Sequence, residues 1–152
     1  EMLDLFRMAK RGIMMLPPGG RLSVIHVGDL ARLLLAAAKE TENSLTSTYE
    51  VDDGTPGGWD HHDFGAAIGR AVGRQVRTLA TPRWALGMAA RADRMIRGGK
   101  AKLTPDRVDY FCHPDWVVTP EMQPPRRLWM PQVPTEDGLK ATAAAYREKG
   151  WI

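Results

Sequence analysis

The chain has 152 residues, 43% apolar and 26% charged, with a formal net charge of +3, which is the balance of an ordinary soluble domain with one core. Cys112 is the only cysteine, so the chain cannot form an internal disulfide. Neither a signal peptide nor an apolar run of about 18 residues is present. We therefore expect a cytoplasmic protein without a membrane partner. The arginines are spread along the chain instead of being clustered with aromatic residues, which disfavours a nucleic-acid partner.

Short strands and helices are predicted to alternate in the first third of the chain, as they do in α/β domains. An amphipathic helix opens the chain, and Asp29 is the predicted N-cap of a second helix that carries a stripe of leucines and alanines. The predicted helices of this part are 2–9 and 30–39, and the predicted strands are 13–16, 22–27 and 48–51.

Two further helices are predicted in the middle of the chain, separated by a strand at 75–79. The first begins at Asp60, whose carboxylate accepts from the free amides of the first turn, and it ends at Gly73. The second begins at Thr81-Pro82, an N-cap followed by proline, and it ends at Gly98. Each has an apolar stripe: Phe64, Ala67, Ile68, Ala71 and Val72 in the first, and Ala85, Met88, Ala89, Ala92, Met95 and Ile96 in the second.

Both stripes are expected to face the core. The methionines of the second helix, together with Trp84, are interpreted as core filler, because flexible thioether side chains fill irregular gaps. This interpretation is preferred to a ligand-binding role.

Prolines interrupt the segment 100–135 repeatedly, and we predict it to be irregular apart from a short helix over 104–111. A closing helix is predicted over 136–149, with Thr135 as its cap. No internal repeat or low-complexity tract divides the chain, so residues 1–152 are predicted to form a single domain.

The densest set of potential metal ligands lies around the start of the third predicted helix. Its members are Asp52, Asp53, Asp60, His61, His62 and Asp63. Adjacent histidines at a helix start point about 100° apart, whereas helical metal ligands are usually three or four residues apart. We therefore expect these side chains to cap and to be exposed, and we predict no metal site.

Two stretches resemble the extended short-chain dehydrogenases/reductases, the NAD(P)-dependent epimerase/dehydratase family. One is the junction Ile25-His26-Val27-Gly28-Asp29-Leu30-Ala31-Arg32 between a strand and a helix. The other is the ending that contains Leu128-Trp129-Met130-Pro131, Thr135-Glu136-Asp137-Gly138-Leu139, Thr142, Tyr146-Arg147 and Gly150-Trp151-Ile152. In that family the junction follows the nucleotide-binding and catalytic halves of the enzyme.

The resemblance implies an α/β fold, the C-terminal substrate-binding part of an extended Rossmann-type dehydrogenase, with the nucleotide-binding half absent. Glu1 leads directly into the first helix, which we interpret as a truncation. The family's Gly-rich turn is missing, because Gly65, Gly69 and Gly73 lie within a helical pattern. Its Tyr-x-x-x-Lys pair is missing too. NAD or NADP is therefore expected only in the full-length parent, and this chain alone is not expected to be catalytic.

The resemblance also implies a substrate-binding set: Arg107, Lys102, Tyr110 and His26. Arg107 is the closest match to a basic residue that faces the substrate in the family, although a surface or intra-loop salt bridge with Asp106 or Asp109 is the alternative. For His26, a hydrogen-bonded role in the core or at a junction is the alternative. The expected partners are a small-molecule substrate and the missing N-terminal half, and a homo-oligomer is left open.

A second function is kept beside this one, a free-standing, non-catalytic binding or regulatory module derived from the same family. Such a module needs a polar surface where the missing half once docked. A truncated enzyme exposes a large apolar patch instead.

Overall fold

The computed structural model describes residues 2–40 and 47–152, which form a mixed α/β structure. Its α-helices are α1 (Met2–Arg11), α2 (Val27–Lys39), α3 (His61–Val72), α4 (Arg83–Arg97), α5 (Pro105–Phe111) and α6 (Thr135–Glu148). Its strands are β1 (Ile13–Leu16), β2 (Arg21–Leu22), β3 (Trp59–Asp60), β4 (Arg77–Ala80) and β5 (Asp115–Trp116). Single 3₁₀ turns lie at Gly98–Lys100 and Pro120–Met122.

The main core lies where α1, α3 and α6 pack around one face of β1. Phe6 of α1, Met14 of β1 and Ile68 of α3 are fully buried at its centre. The ring of Phe6 also meets Tyr146 of α6 edge to face, with 5.3 Å between centroids. The amphipathic patterns of these helices therefore predict their burial correctly.

Helix α3 lies at the centre of the core. Its two ends are capped, and its small residues let neighbouring segments approach closely. The Asp60 carboxylate caps it by accepting from the amide of His62 at 2.7 Å, as predicted, and Gly73 ends it in the left-handed conformation with φ of +77°. A Cβ on Gly69 would lie only 2.6 Å from the side chain of Val76, and one on Gly65 would lie 3.0 Å from Leu16. The glycines therefore allow close packing, as their spacing indicates.

Strands β1 and β4 form a two-stranded parallel sheet, with Met15 opposite Leu79. One face carries Met14 and Leu16, which are buried against α3 and α1. The other face carries Ile13, Met15 and Leu79, all of which are at least half exposed. An apolar sheet face thus lies open among the described residues.

The second sheet is small and places β2 between β3 and β5. Strand β2 runs antiparallel to β3 and parallel to β5. The predicted strands over 22–27 and 48–51 are wrong, since β2 ends at Leu22 and residues 48–51 form no strand. The backbone of Glu50 instead donates to Met122 at 3.0 Å. Strands as short as two residues carry too little alternation to be recognised in the sequence.

The start of α2 differs from prediction. The helix begins at Val27, and its N-cap is His26, whose Nδ1 accepts from the amide of Gly28 at 3.2 Å. Asp29 is fully buried inside the helix instead of capping it. Its carboxylate accepts from the amides of Gln132 and Val133 at 3.1 and 3.0 Å and pairs with Arg32. A carboxylate three residues into this helix is thus used to hold a distant segment.

The other helix boundaries move by one or two residues. Helix α4 has Pro82, not Thr81, as its N-cap, and α6 has Pro134, not Thr135. Helix α5 begins after Thr104 as predicted, and the hydroxyl of that residue accepts from the amide of Arg107. The strand predicted at 75–79 lies at 77–80.

Helix α4 contradicts the prediction of a buried stripe. Ala90 is its only buried residue, whereas Trp84, Met88, Met95 and Ile96 are each more than 60% exposed. The helix packs against α5 and the turn at Gly98–Lys100. Its methionines and Trp84 are not core filler. None of the helices among the described residues is long and apolar enough to cross a membrane.

Candidate functional site

A cleft lies between the loop after Asp52 and the start of α6. Its volume is about 500 Å³, within the range typical of ligand sites. It is lined by Asp53, Gly54, Thr55, Pro56 and Trp59 on one side and by residues 131–136 on the other. The cleft is open to solvent and brings carboxylates, hydroxyls and an indole ring together, a mixture that suits a polar small molecule.

Asp53 organises this cleft. Its carboxylate accepts from the indole of Trp59 at 2.8 Å, from the amide of Thr55 at 2.9 Å and from the hydroxyl of Thr135. Burial raises the pKa of Asp53, but the hydrogen bonds from Thr135, Trp59 and Thr55 together lower that pKa below its ordinary value. The carboxylate is therefore held ionised and fixed, which suits a positioning role better than proton transfer.

A smaller cleft of about 310 Å³ shares Thr55 and Trp59 with the first. Its other lining residues are Arg21, Gly58, Asp60, Asp63 and Arg70. Arg21 donates to the carbonyl of Gly58 at 3.2 Å, while Arg70 pairs with Glu136 at 2.6 Å. Trp59 and Thr55 are thus a wall between two polar clefts.

Two further aspartates hold the loops around the larger cleft. Asp52 is buried and accepts from Ser23 and from the amide of Gly54, both at 2.9 Å. Asp29 holds residues 132 and 133 as described above, and its carbonyl accepts from the indole of Trp129 at 2.9 Å. Asp29 thus links the α2 junction to one wall of the cleft and to Trp129, so the two stretches that carry the family resemblance meet in the fold.

The histidines of the predicted acidic cluster point in different directions. His62 Nδ1 lies 2.9 Å from the hydroxyl of Thr78, whereas His61 is buried and packs against Gly20. Nδ1 of His61 has no hydrogen-bond partner among the described residues. Burial lowers the pKa of His61, the nearby Asp60 raises it, and His62 lowers it further, so that the net shift is downward. Within residues 2–40 and 47–152, no group of three or more acidic, histidine or cysteine side chains is arranged to hold a metal ion.

Two of the four predicted substrate-binding residues lie together at the start of α5: Lys102 in the loop before the helix and Arg107 in its first turn. Arg107 Nη1 donates to the carbonyl of Lys102 at 2.8 Å, and both residues are exposed. The amide of Lys102 donates to Asp93 of α4 at 2.6 Å. Asp109, considered above as a partner for Arg107, pairs with Arg83 at 2.5 Å instead.

Tyr110 lies on the same helix and belongs to an exposed aromatic group. Its ring stacks on Trp116, with 4.5 Å between centroids, and its carbonyl accepts from the indole of Trp116 at 3.1 Å. His26, the fourth predicted residue, caps α2 and contacts Gly138 of α6. This is the hydrogen-bonded junction role weighed above. A function in substrate binding stays a prediction for all four residues.

Sequence reasoning missed the part played by Trp59 and Thr135. Asp53 was recognised only as a candidate metal ligand, and Thr135 only as a helix cap. Their contact joins residues 82 positions apart. The only sequence signal was the run Gly57-Gly58-Trp59-Asp60, in which a large aromatic residue follows a turn.

The glycines of α3 do not form the phosphate-binding turn of a dinucleotide site. Gly65 and Gly69 are buried against Leu16, Thr78 and Val76, so their backbone forms no phosphate cradle. Comparison with protein-family models and with curated proteins finds no match for this chain.

Proposed function

We propose that the chain is the C-terminal substrate-binding portion of an extended, NAD(P)-dependent short-chain dehydrogenase-like oxidoreductase or epimerase. The cofactor, which would exchange hydride at a carbon that bears oxygen, belongs to the nucleotide-binding half of that parent. The present residues would supply a wall of the substrate cleft and a surface against which that half packs. The family assignment depends on the resemblance of the α2 junction and the C-terminal motifs.

The open face of the β1–β4 sheet is the observation that carries the proposal. Parallel strands occur almost only in sheets that are covered on both faces, because their crossover connections place helices there. Here Ile13 and Leu79 are 51% exposed and Met15 is 60% exposed on one continuous face. A missing layer that covers this face accounts for three exposed apolar side chains in register.

The alternative, a free-standing regulatory module, predicts that this face has become polar. Its apolar residues weigh against that alternative, as do the exposed Leu34 and Leu35 of α2. A binding module that functions alone would also have no reason to retain a parallel strand pair with one uncovered side.

Cofactor titration tests the first part of the proposal. We expect calorimetry of the chain with NAD, NADH, NADP and NADPH to show no saturable binding tighter than about 0.1 mM, roughly −5.5 kcal/mol. The coding sequence upstream of Glu1 supplies the complementary observation. It should encode a strand followed by a Gly-rich turn and later a Tyr-x-x-x-Lys, and a stop codon in their place would contradict the proposal.

Arg107 provides the sharper test, carried out in the full-length parent. Since a guanidinium that binds a polar substrate holds ground and transition states alike, Arg107→Ala should raise KM about ten- to a hundred-fold and leave kcat nearly unchanged. Arg126→Ala, which removes an exposed arginine from another segment, is the matched control. If Arg107 only braces the loop through the Lys102 carbonyl, both variants give parental kinetics, and Arg107 is removed from the site.

A further inference from the structure

The outer face of α4 carries a stripe of large apolar side chains that is interrupted only by Arg91. Trp84, Met88 and Met95 are 70%, 61% and 88% exposed, and Ile96, which follows Met95 in the sequence, is 82% exposed. At 3.6 residues per turn, the first three lie within about 40° of one another around the helix axis. Ala90, the buried residue, lies more than about 120° away from them. The large apolar side chains therefore point away from the protein.

Cationic residues accompany this stripe. Residues 83–102 include Arg83, Arg91, Arg94, Arg97, Lys100 and Lys102, against a single acidic residue, Asp93. Arg83 pairs with Asp109, and Arg97 pairs with Asp93 at 3.2 Å. Arg91 and Arg94 are exposed and form no ion pair with a described residue. Arg91 lies within about 20° of Trp84 around the axis, at the border of the stripe.

The apolar stripe and the cationic residues together indicate which kind of partner fits this face of α4. A second copy would bring Arg91 and Arg94 of two α4 helices together, and like charges that face one another across an interface are unfavourable. A nucleic acid would attract the arginines but leave the apolar stripe in water. An anionic lipid surface satisfies both features, because acyl chains accept the stripe while phosphates attract the flanking cations.

We propose that α4 is an interfacial anchor that lies in the plane of an anionic lipid bilayer, with Trp84, Met88 and Met95 at the acyl boundary and Arg91 and Arg94 at the headgroup phosphates. At 15 residues, α4 is too short to cross a bilayer. An interfacial anchor departs from the sequence-based expectation of no membrane partner, which depended on the absence of a spanning segment. Its residues are distinct from Ile13, Met15 and Leu79 of the open β1–β4 face, on which the proposed function depends.

Vesicle co-sedimentation of the full 152-residue chain tests this assignment. We expect binding to vesicles of equimolar phosphatidylcholine and phosphatidylglycerol to be at least about ten-fold tighter than binding to phosphatidylcholine alone, and to weaken as salt is added. Trp84 should shift its fluorescence to the blue on binding. Trp84→Phe should remove that shift, whereas Trp116→Phe should keep it, since Trp116 is also exposed but lies outside α4.

Two pairs of variants separate the apolar and the electrostatic contributions. Met88→Gln with Met95→Gln should weaken binding to the anionic vesicles at least about ten-fold, while Leu34→Gln with Leu35→Gln, an equally exposed apolar pair on α2, should leave it unchanged. Arg91→Gln with Arg94→Gln should weaken it by about ten-fold or more, and Arg126→Gln with Arg127→Gln by much less. Because all eight side chains are exposed, the circular dichroism of every variant should match the parent.

Several results would overturn the proposal. Equal binding to neutral and anionic vesicles removes the role of charge, and unchanged binding by the Met88 and Met95 variant removes the role of the stripe. Sedimentation velocity that shows a dimer abolished by the same variant, without vesicle binding, assigns the face to a second copy. Binding of duplex DNA that survives loss of the stripe assigns the cations to nucleic acid. None of these results bears on the upstream coding sequence, so failure here is distinguishable from failure of the proposed function.

Discussion

Helices α3 and α4 have the same kind of apolar stripe and opposite surroundings. In α3, Phe64 and Ile68 are buried between α1 and α6. In α4, Met88 and Ile96 point into solvent. Periodicity shows that a helix has an apolar side which requires cover, but it does not show which molecule covers that side. For α3 the cover is α1 and α6, whereas no described residue covers the large apolar side chains of α4.

Small residues account for much of the difference. Gly65 and Gly69 let α3 approach β1 and the segment at Val76 closely. Helix α4 turns Ala90 toward its neighbours and has open space around Gly87. Close packing needs complementary surfaces on both partners, and the described elements that α4 mainly packs against are the short α5 and one 3₁₀ turn.

Two isoleucines offer the largest expected contrast between these helices. Ile68→Ala should lower the free energy of unfolding by about 2–5 kcal/mol, because a fully buried side chain leaves a cavity. Ile96→Ala, at an exposed position of α4, should change it by no more than about 0.5 kcal/mol. Urea denaturation of both variants measures the contrast. Similar losses for the two would mean that α4 is also packed in solution.

The second contrast uses glycine. A Cβ at position 69 would also lie 2.9 Å from the carbonyl oxygen of Arg74, which is backbone and yields only with the chain, so Gly69→Ala should cost about 1–3 kcal/mol. Gly87→Ala meets nothing within 4 Å and improves helix propensity, so it should stabilise by about 0.5–1 kcal/mol. Thermal melts should thus move in opposite directions. A gain at position 69 would show that α3 has room to spare.

Local signals in the sequence predicted most of the helices and one sheet strand well. The cap at Asp60, the stop at Gly73 and the start at Thr104 each depend on side chains within three residues of the helix end, and all three are confirmed. The alternation in residues 13–16 likewise predicts β1. Such features are readable because their partners are adjacent in the chain.

Features with distant partners could not be predicted. Asp29 stands in the sequence where an N-cap is expected. Its carboxylate instead accepts from the amides of residues 132 and 133, which are distant in the chain. Asp53 was grouped with possible metal ligands, although its partner Thr135 lies in a different motif. The candidate cleft is formed by these long-range contacts. The sequence therefore singled out Asp53 and Thr135 separately and did not predict that they meet.

The smallest expected effect is the change in stability with acid, which depends on His61, the first residue of α3. Burial lowers the pKa of His61 at the start of α3, Asp60 partly offsets this, and His62 adds to it. As the pH falls below the unfolded value of 6.5, the unfolded chain binds a proton that the folded chain does not yet take, so the free energy of unfolding decreases until the pH passes the lower folded pKa.

His61→Gln should therefore flatten the dependence of stability on pH between neutral and mildly acidic conditions, whatever its effect on stability at neutral pH. His113→Gln is the comparison variant, since it removes an exposed histidine that lies outside α3. Urea denaturation across this pH range measures both. If the slope survives loss of His61, burial of the α3 start does not govern the response to acid, and the difference between the two helices is confined to their apolar faces.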